Sequence, residues 1–293
     1  MDQEQGKEEA KNFYDQKAKN YIQQYVDEFE EYPTNLIRIN FIIERLRKNN
    51  VKTILDVGCG TCGPMIKLLK EGFNVMGLDF SKKMVEEGKK ELEKAGYDSD
   101  LVFFADLENK QNILDKKFDA IIALGVFPHI LNEKKALLNM KELLNPNGLV
   151  FISFRNDLFS AFSLNKYSLN FFLNKVTDMN SLPHEVQDEV KDFYSQRFNP
   201  NAPIQKAGGK VAYNDDVGIL AKFHNPLSIN KDLFKPCDFS VLDTHFYHFH
   251  ALPPIFRNKY PKLFRDLSLK LENPNDWKGY LMASAFVIEA KRN

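Results

Sequence analysis

From residue 51 to residue 154, five short apolar runs alternate with helical patterns, and that alternation leaves few folds open to the chain. The runs are VKTILDV (51–57), FNVMGLD (73–79), LVFFADL (101–107), FDAIIAL (118–124) and LVFISF (149–154). They are nearly continuous in apolar residues, as parallel strands covered on both faces must be. Between the first two, Met65, Leu68 and Leu69 share one helical face, with Pro64 suited to a first turn and Gly72 to a C-terminal cap. A second helix is expected from an N-cap at Ser81 to Gly96, and a third from Glu133 to Leu144, stopped by Asn145-Pro146-Asn147-Gly148. Strands and helices alternating at this spacing predict an α/β fold with a doubly wound, mostly parallel sheet.

The segment Asp56-Val57-Gly58-Cys59-Gly60-Thr61-Cys62-Gly63-Pro64 sits where the first strand turns into the first helix. Gly58, Gly60 and Gly63 have the spacing that permits a tight turn and close approach of a ligand to bare backbone. Asp79 ends the second strand, where a carboxylate can accept from both ribose hydroxyls. These two features suit a nicotinamide dinucleotide and S-adenosylmethionine equally. Asp56 separates the two ligands, because an acid two residues before the first glycine repels a pyrophosphate but suits a ligand bearing an ammonium and a sulfonium. Asp106, at the end of the third strand, is placed to accept from an adenine amino group. Two further strands, FSVLDTHFYHFH (239–250) and SAFVIEAK (284–291), follow a fifth-strand segment LLNPNGLVFISF.

In these motifs the chain resembles the class I S-adenosylmethionine-dependent methyltransferases, small-molecule branch, closely over 51–155 and by pattern over 239–293. The resemblance implies a Rossmann-like sheet of about seven strands with S-adenosylmethionine as cofactor. It implies that the loop from Asp56 to Gly63, with Gly58, Cys59 and Gly60, lies beneath the methionine moiety. Asp79 would hold the ribose, Phe80 and Leu107 the adenine ring, and Asp106 its amino group. Leu124 and Gly125 would face the reacting sulfur. An N-terminal lid helix is common in that branch, which draws attention to Tyr14 and Tyr21, spaced by seven on one helical face.

The acceptor side is less determined. After the fourth strand the chain reads Gly125-Val126-Phe127-Pro128-His129-Ile130, without the Asn- or Asp-Pro-Pro-aromatic sequence frequent in amino-group methyltransferases of nucleic acids. His129 is one candidate base or a helix-start scaffold. On the sixth strand His248 and His250 should share a face with Phe246, opposite Tyr247 and Phe249. His248 is the preferred base, with His250 at the substrate. Arg155 and Asn156, straight after the fifth strand, are expected at the sheet edge where ligands collect. Cys59-x-x-Cys62 has metal spacing, but no second pair follows, so the two cysteines read as small loop residues and no metal site is expected.

Four units are expected: N-terminal helices (1–50) broken at Tyr32-Pro33, the cofactor-binding core (51–155), a helical cap shaping the acceptor site (156–238), and the last strands (239–293) with a helix near 258–271. Forty basic against forty acidic residues argue against a nucleic-acid partner, and three cysteines against a disulfide framework. With no apolar leader or spanning run, a cytoplasmic protein not inserted in a membrane is expected. The leading function is methylation of a small molecule, at oxygen, on a sugar, a nucleotide-linked sugar or an aromatic metabolite. The alternatives are an NAD-dependent oxidoreductase and a non-catalytic S-adenosylmethionine-binding partner subunit.

Overall fold

The computed structural model describes residues 11–16, 32–109, 116–198 and 222–293. Tyr21 and the 199–210 loop lie outside the described residues. The doubly wound sheet expected from the sequence is present, in the order β3-β2-β1-β4-β5-β8-β7. Strands β1 (Thr53–Val57), β2 (Asn74–Asp79), β3 (Val102–Phe104), β4 (Phe118–Ala123) and β5 (Leu144–Asn156) run parallel. Strand β8 (Ala283–Arg292) is antiparallel to β5, and β7 (Phe239–Phe249) antiparallel to β8. The end of β7 therefore points to the same edge as the ends of β1 to β5. An eighth strand, the two-residue β6 (Phe223–His224), pairs with Arg155 and Asn156 of β5. Because β8 occupies the other side of Arg155, β6 continues the lane that β4 leaves after Ala123.

Both faces of the sheet are covered, which is why its strands read as unbroken apolar runs. One layer joins Leu55, Val57, Ile121, Phe154 and Phe286 to α5 (Glu133–Leu143) through Leu137 and Met140. The other joins Ile54, Ile122, Phe151 and Val287 to α2 (Thr34–Lys48) and α3 (Gly63–Lys70) through Ile42, Leu46, Met65 and Leu68. Each fully buried side chain of this size contributes roughly 1.5–3 kcal/mol. Residues 11–16 form a helix, α1. Helix α4 (Lys82–Lys94) begins where expected, the Ser81 hydroxyl accepting from Met84 N at 3.1 Å.

Three departures have local causes. The third strand stops at Phe104, and residues 105–107 leave the sheet to wall a cleft. The Asn145–Gly148 turn is absorbed into β5 as an irregularity between the Phe118↔Leu144 and Ala120↔Leu149 pairings, with Asn147 at φ 63°. The helix expected near 258–271 is broken into α9 (Ile255–Lys259) and α10 (Pro261–Lys270), since Pro261 lacks an N–H and Tyr260 before it is held at φ −137°. Between β5 and β7 lie α6 (Ser160–Ser163), α7 (Lys166–Phe171), α8 (His184–Arg197) and β6.

Candidate active site

The turn after β1 is built around bare backbone. Gly58 has φ 67° and Gly60 φ 54°, conformations that side chains resist. A Cβ on Gly58 would fall 2.3 Å from Cγ2 of Val126 in the loop after β4. The N–H groups of Gly58 and Cys59 both donate to the Leu78 carbonyl, at 2.7 and 3.1 Å. Asp79 completes the clasp, its two oxygens accepting from Gly60 N at 2.9 Å and Ser81 N at 2.8 Å. Burial pushes its carboxyl up to about 6, against the pull of those donors.

Asp56 lies beneath this turn, 2% exposed, and its Oδ2 has no hydrogen-bond partner. Burial pushes its carboxyl up to about 8, Arg38 opposing and Asp79 adding to the rise. An orphaned, buried carboxylate oxygen is costly until a cation reaches it. The ammonium of a methionine moiety would supply that cation, so the residues present fit the implied cofactor.

One cleft at the carboxyl edge of the sheet brings together most of the expected cofactor residues. It is lined by Tyr14, Gly58, Gly60, Asp79, Phe80, Asp106, Leu107, Leu124 and Gly125, and also by His129. Tyr14 sets its ring edge-on to Phe80 at 6.3 Å and to His129 at 5.8 Å. The Ser81 hydroxyl ties α1 down by donating to Asp15 at 2.5 Å. Asp106 also accepts from Glu108 N at 3.0 Å, which shapes the turn after β3.

Other expected site residues lie outside the cleft. Cys59 contributes its backbone to the turn, but its side chain is buried against Gly77, with Sγ 4.0 Å from that of Cys62. Gly63 opens α3 behind the loop. Asn156 is a correction: it is fully buried and its amide group faces the carbonyls of Gly279, Tyr280 and Ala283 at 2.8–3.1 Å. Its Oδ1 accepts from Leu158 N at 3.0 Å, so the side chain is consumed as a structural clamp. His250 is a second correction, fully buried between Phe159 and Phe264 with no surface for a substrate.

His248 is the third correction. It stands off the cleft, its Nδ1 2.8 Å from the Ser284 hydroxyl and its ring beside Tyr32. Burial, with Arg257 adding to it, pulls the imidazole down to about 3, too weak a base for the role expected of it. The face assignment also fails, because His248 adopts φ 60° and interrupts the strand alternation. Phe246 and Phe249 consequently enter one apolar layer and Tyr247 the other. The kink brings Phe249 N to within 2.8 Å of Glu272, which also accepts from the Tyr32 hydroxyl. Arg155 sits apart from the cleft, its guanidinium 5.8 Å from the ring centre of Phe223, which in turn meets Tyr167.

Met84, Glu108, Val126 and Ile130 line the cleft without having been expected. Val126 could have been suspected from its place two residues after the fourth strand. Arg38 beneath Asp56 carries no such signal, since a tertiary contact alone brings it there.

A family model described as a methyltransferase domain matches residues 48–208. The ubiquinone biosynthesis O-methyltransferase of Rickettsia prowazekii is 35% identical over 183 residues, 60% of this chain and 70% of that protein. The glycine/sarcosine N-methyltransferase of Halorhodospira halochloris is 32% identical over 148 residues, 46% of this chain and 55% of that protein. Among solved structures, an S-adenosylmethionine-dependent methyltransferase from Clostridium acetobutylicum superposes with a TM-score of 0.54 at 15% identity, covering 94% of this chain and 98% of that one.

Proposed function

The chain belongs to the methyltransferase-domain family and is an S-adenosylmethionine-dependent methyltransferase, and from that premise we propose that it methylates a hydroxyl oxygen of a small aromatic metabolite. The observation that carries the proposal is His129, an imidazole on the cleft wall beside Gly125 and Val126 and edge-on to Tyr14. A hydroxyl acceptor gains from a nearby group able to take its proton near neutrality, and histidine is suited to that. The O-methyltransferase name of the Rickettsia relative supports oxygen as the acceptor atom. The family assignment removes the NAD-dependent alternative.

The cofactor, when bound, supplies a methyl group activated on a sulfonium. The chain's own contribution is placement. Asp56 would hold the cationic end, Asp79 the ribose, and Phe80, Asp106 and Leu107 the base. Leu124 and Gly125 would border the reacting end, with His129 on the same cleft to take the proton of the acceptor hydroxyl. Tyr14 and α1 keep water from that end.

The test is transfer of a labelled methyl group to a panel of phenols, sugar hydroxyls and amines, followed by product analysis. The expected product is an aryl methyl ether. His129→Ala should lower turnover by roughly 10²–10⁴-fold with cofactor affinity retained. Methylation confined to nitrogen, or undiminished turnover in His129→Ala, would sink the proposal.

A further inference from the structure

Among the described residues, thirteen large apolar side chains are exposed, and six of them fall within the single excursion between β7 and β8. Four are close together in sequence on α9 and the start of α10: Ile255 at 41%, Phe256 at 38%, Tyr260 at 43% and Leu263 at 52% exposure. Trp277, 69% exposed, and Leu281 belong to the later part of the same excursion. Isolated apolar side chains on a surface are ordinary, but a concentration of this kind marks an interaction site.

Charge identifies the partner. From His250 to Arg265 the sequence contains no Asp or Glu and four basic residues, Arg257, Lys259, Lys262 and Arg265. Lys259 and Lys262 are exposed among the apolar side chains, and the Lys259 ammonium lies 5.2 Å from the ring centre of Tyr260. The excursion is nevertheless firmly seated. Phe264 is buried and meets the His250 ring at 5.2 Å, while the buried Ser268 hydroxyl accepts from Ala251 N at 3.0 Å. Leu263 and Lys262 are exposed while α10 buries Phe264 and Ser268, so packing against the sheet does not consume them.

We propose that the exposed run from Ile255 to Leu263 is a docking surface for an anionic lipid bilayer, entering the interface with its apolar side chains while Lys259 and Lys262 meet acidic headgroups. A purely apolar partner would leave the two ammonium groups without counter-charge, and an acidic polypeptide would leave the aromatic and aliphatic side chains wet. A lipid interface satisfies both at once. None of the described helices is long and apolar enough to cross a membrane, and the contact proposed is with the bilayer surface. The end of β7 and the cofactor cleft share one edge of the sheet, so docking brings that edge towards the bilayer.

Flotation of the full chain with vesicles containing about 30% phosphatidylglycerol in phosphatidylcholine, compared with phosphatidylcholine alone, tests this. The wild type should float with the anionic vesicles. The pairs Phe256→Ser/Leu263→Ser and Lys259→Glu/Lys262→Glu should each reduce the bound fraction by roughly tenfold or more. All four side chains are exposed, so both pairs should still melt cooperatively and S-adenosylmethionine affinity should be unchanged, which separates this result from any failure of the acceptor assignment. No flotation of the wild type overturns the proposal, as does flotation insensitive to both pairs. Concentration-dependent self-association abolished by either pair, without vesicle binding, also overturns it and assigns the face to a second copy of the chain.

Discussion

Val126 excludes any side chain at Gly58, because its Cγ2 would lie 2.3 Å from a Cβ built there. The turn after β1 and the loop after β4 thus define each other's position at the bottom of the cleft. Gly58→Ala should cost stability in two separable parts, a backbone penalty of about 1–2 kcal/mol for φ 67° and the clash itself. Val126→Ala in the same chain should recover the second part only. A double-mutant cycle in denaturant that shows no coupling between the positions would refute this account.

Asp56 should release a proton when the cofactor binds. Its folded value, about 8, is raised above the ordinary 3.8. Its stabilising contribution is therefore complete below about 3.8 and lost as pH rises towards 8. A bound ammonium restores the charged form, so up to roughly one proton should leave at about pH 7 and none well above pH 8. Calorimetry in buffers of different ionisation enthalpy reads this directly. Asp56→Asn should abolish the release and weaken binding, and should stabilise the free protein in alkali.

At the far side of the sheet, Glu289 is fully buried between Arg45 at 2.7 Å and His245 at 3.0 Å. Burial alone would raise its carboxyl, but the hydrogen bonds from His245 and Arg45 prevail and hold it below the usual range. This contribution is present above about pH 4.5 and is lost as pH falls through the depressed folded value. Glu289→Ala should cost about 3–5 kcal/mol at neutral pH by leaving the Arg45 guanidinium without its counter-charge and His245 without its hydrogen-bond partner. Glu289→Gln should flatten the acid limb of the stability profile, and an unchanged limb would contradict the assignment.

Asn156→Ala should behave as a folding mutant. The three carbonyls it faces belong to α11 (Gly279–Met282) and the start of β8, and they lose their donor when the amide is removed. A loss of about 3 kcal/mol is expected. Cofactor affinity of the folded fraction should be unaltered, and a selective affinity loss without destabilisation would return Asn156 to the binding site.

The cofactor side was legible because its chemistry is local in sequence. Gly58, Gly60 and Asp79 sit at strand ends that the apolar runs already locate, and residue types there answer to backbone geometry and charge. The acceptor side was not legible, since it depends on which residues distant in sequence meet. His248 sits on a strong strand pattern, yet its kink and its burial beside Tyr32 come from contact with Glu272 and α2's approach. Asn156 looked like a ligand contact because an amide at the end of a parallel strand serves either role, and only the positions of the Gly279, Tyr280 and Ala283 carbonyls decide. β6, two residues long, has no alternation to detect.

That short strand has an evolutionary consequence. The Arg155↔Phe223 pairing holds the two ends of the intervening segment side by side, independently of what the segment contains. The chain entropy of closing a loop grows only logarithmically with length, about 0.6 kcal/mol for each doubling, so once that pairing is made a change in the number of residues between the two strands adds little to that entropy. The pairing is therefore a point at which the chain tolerates insertion and deletion, provided that residues such as Phe159, packed on His250, keep their contacts.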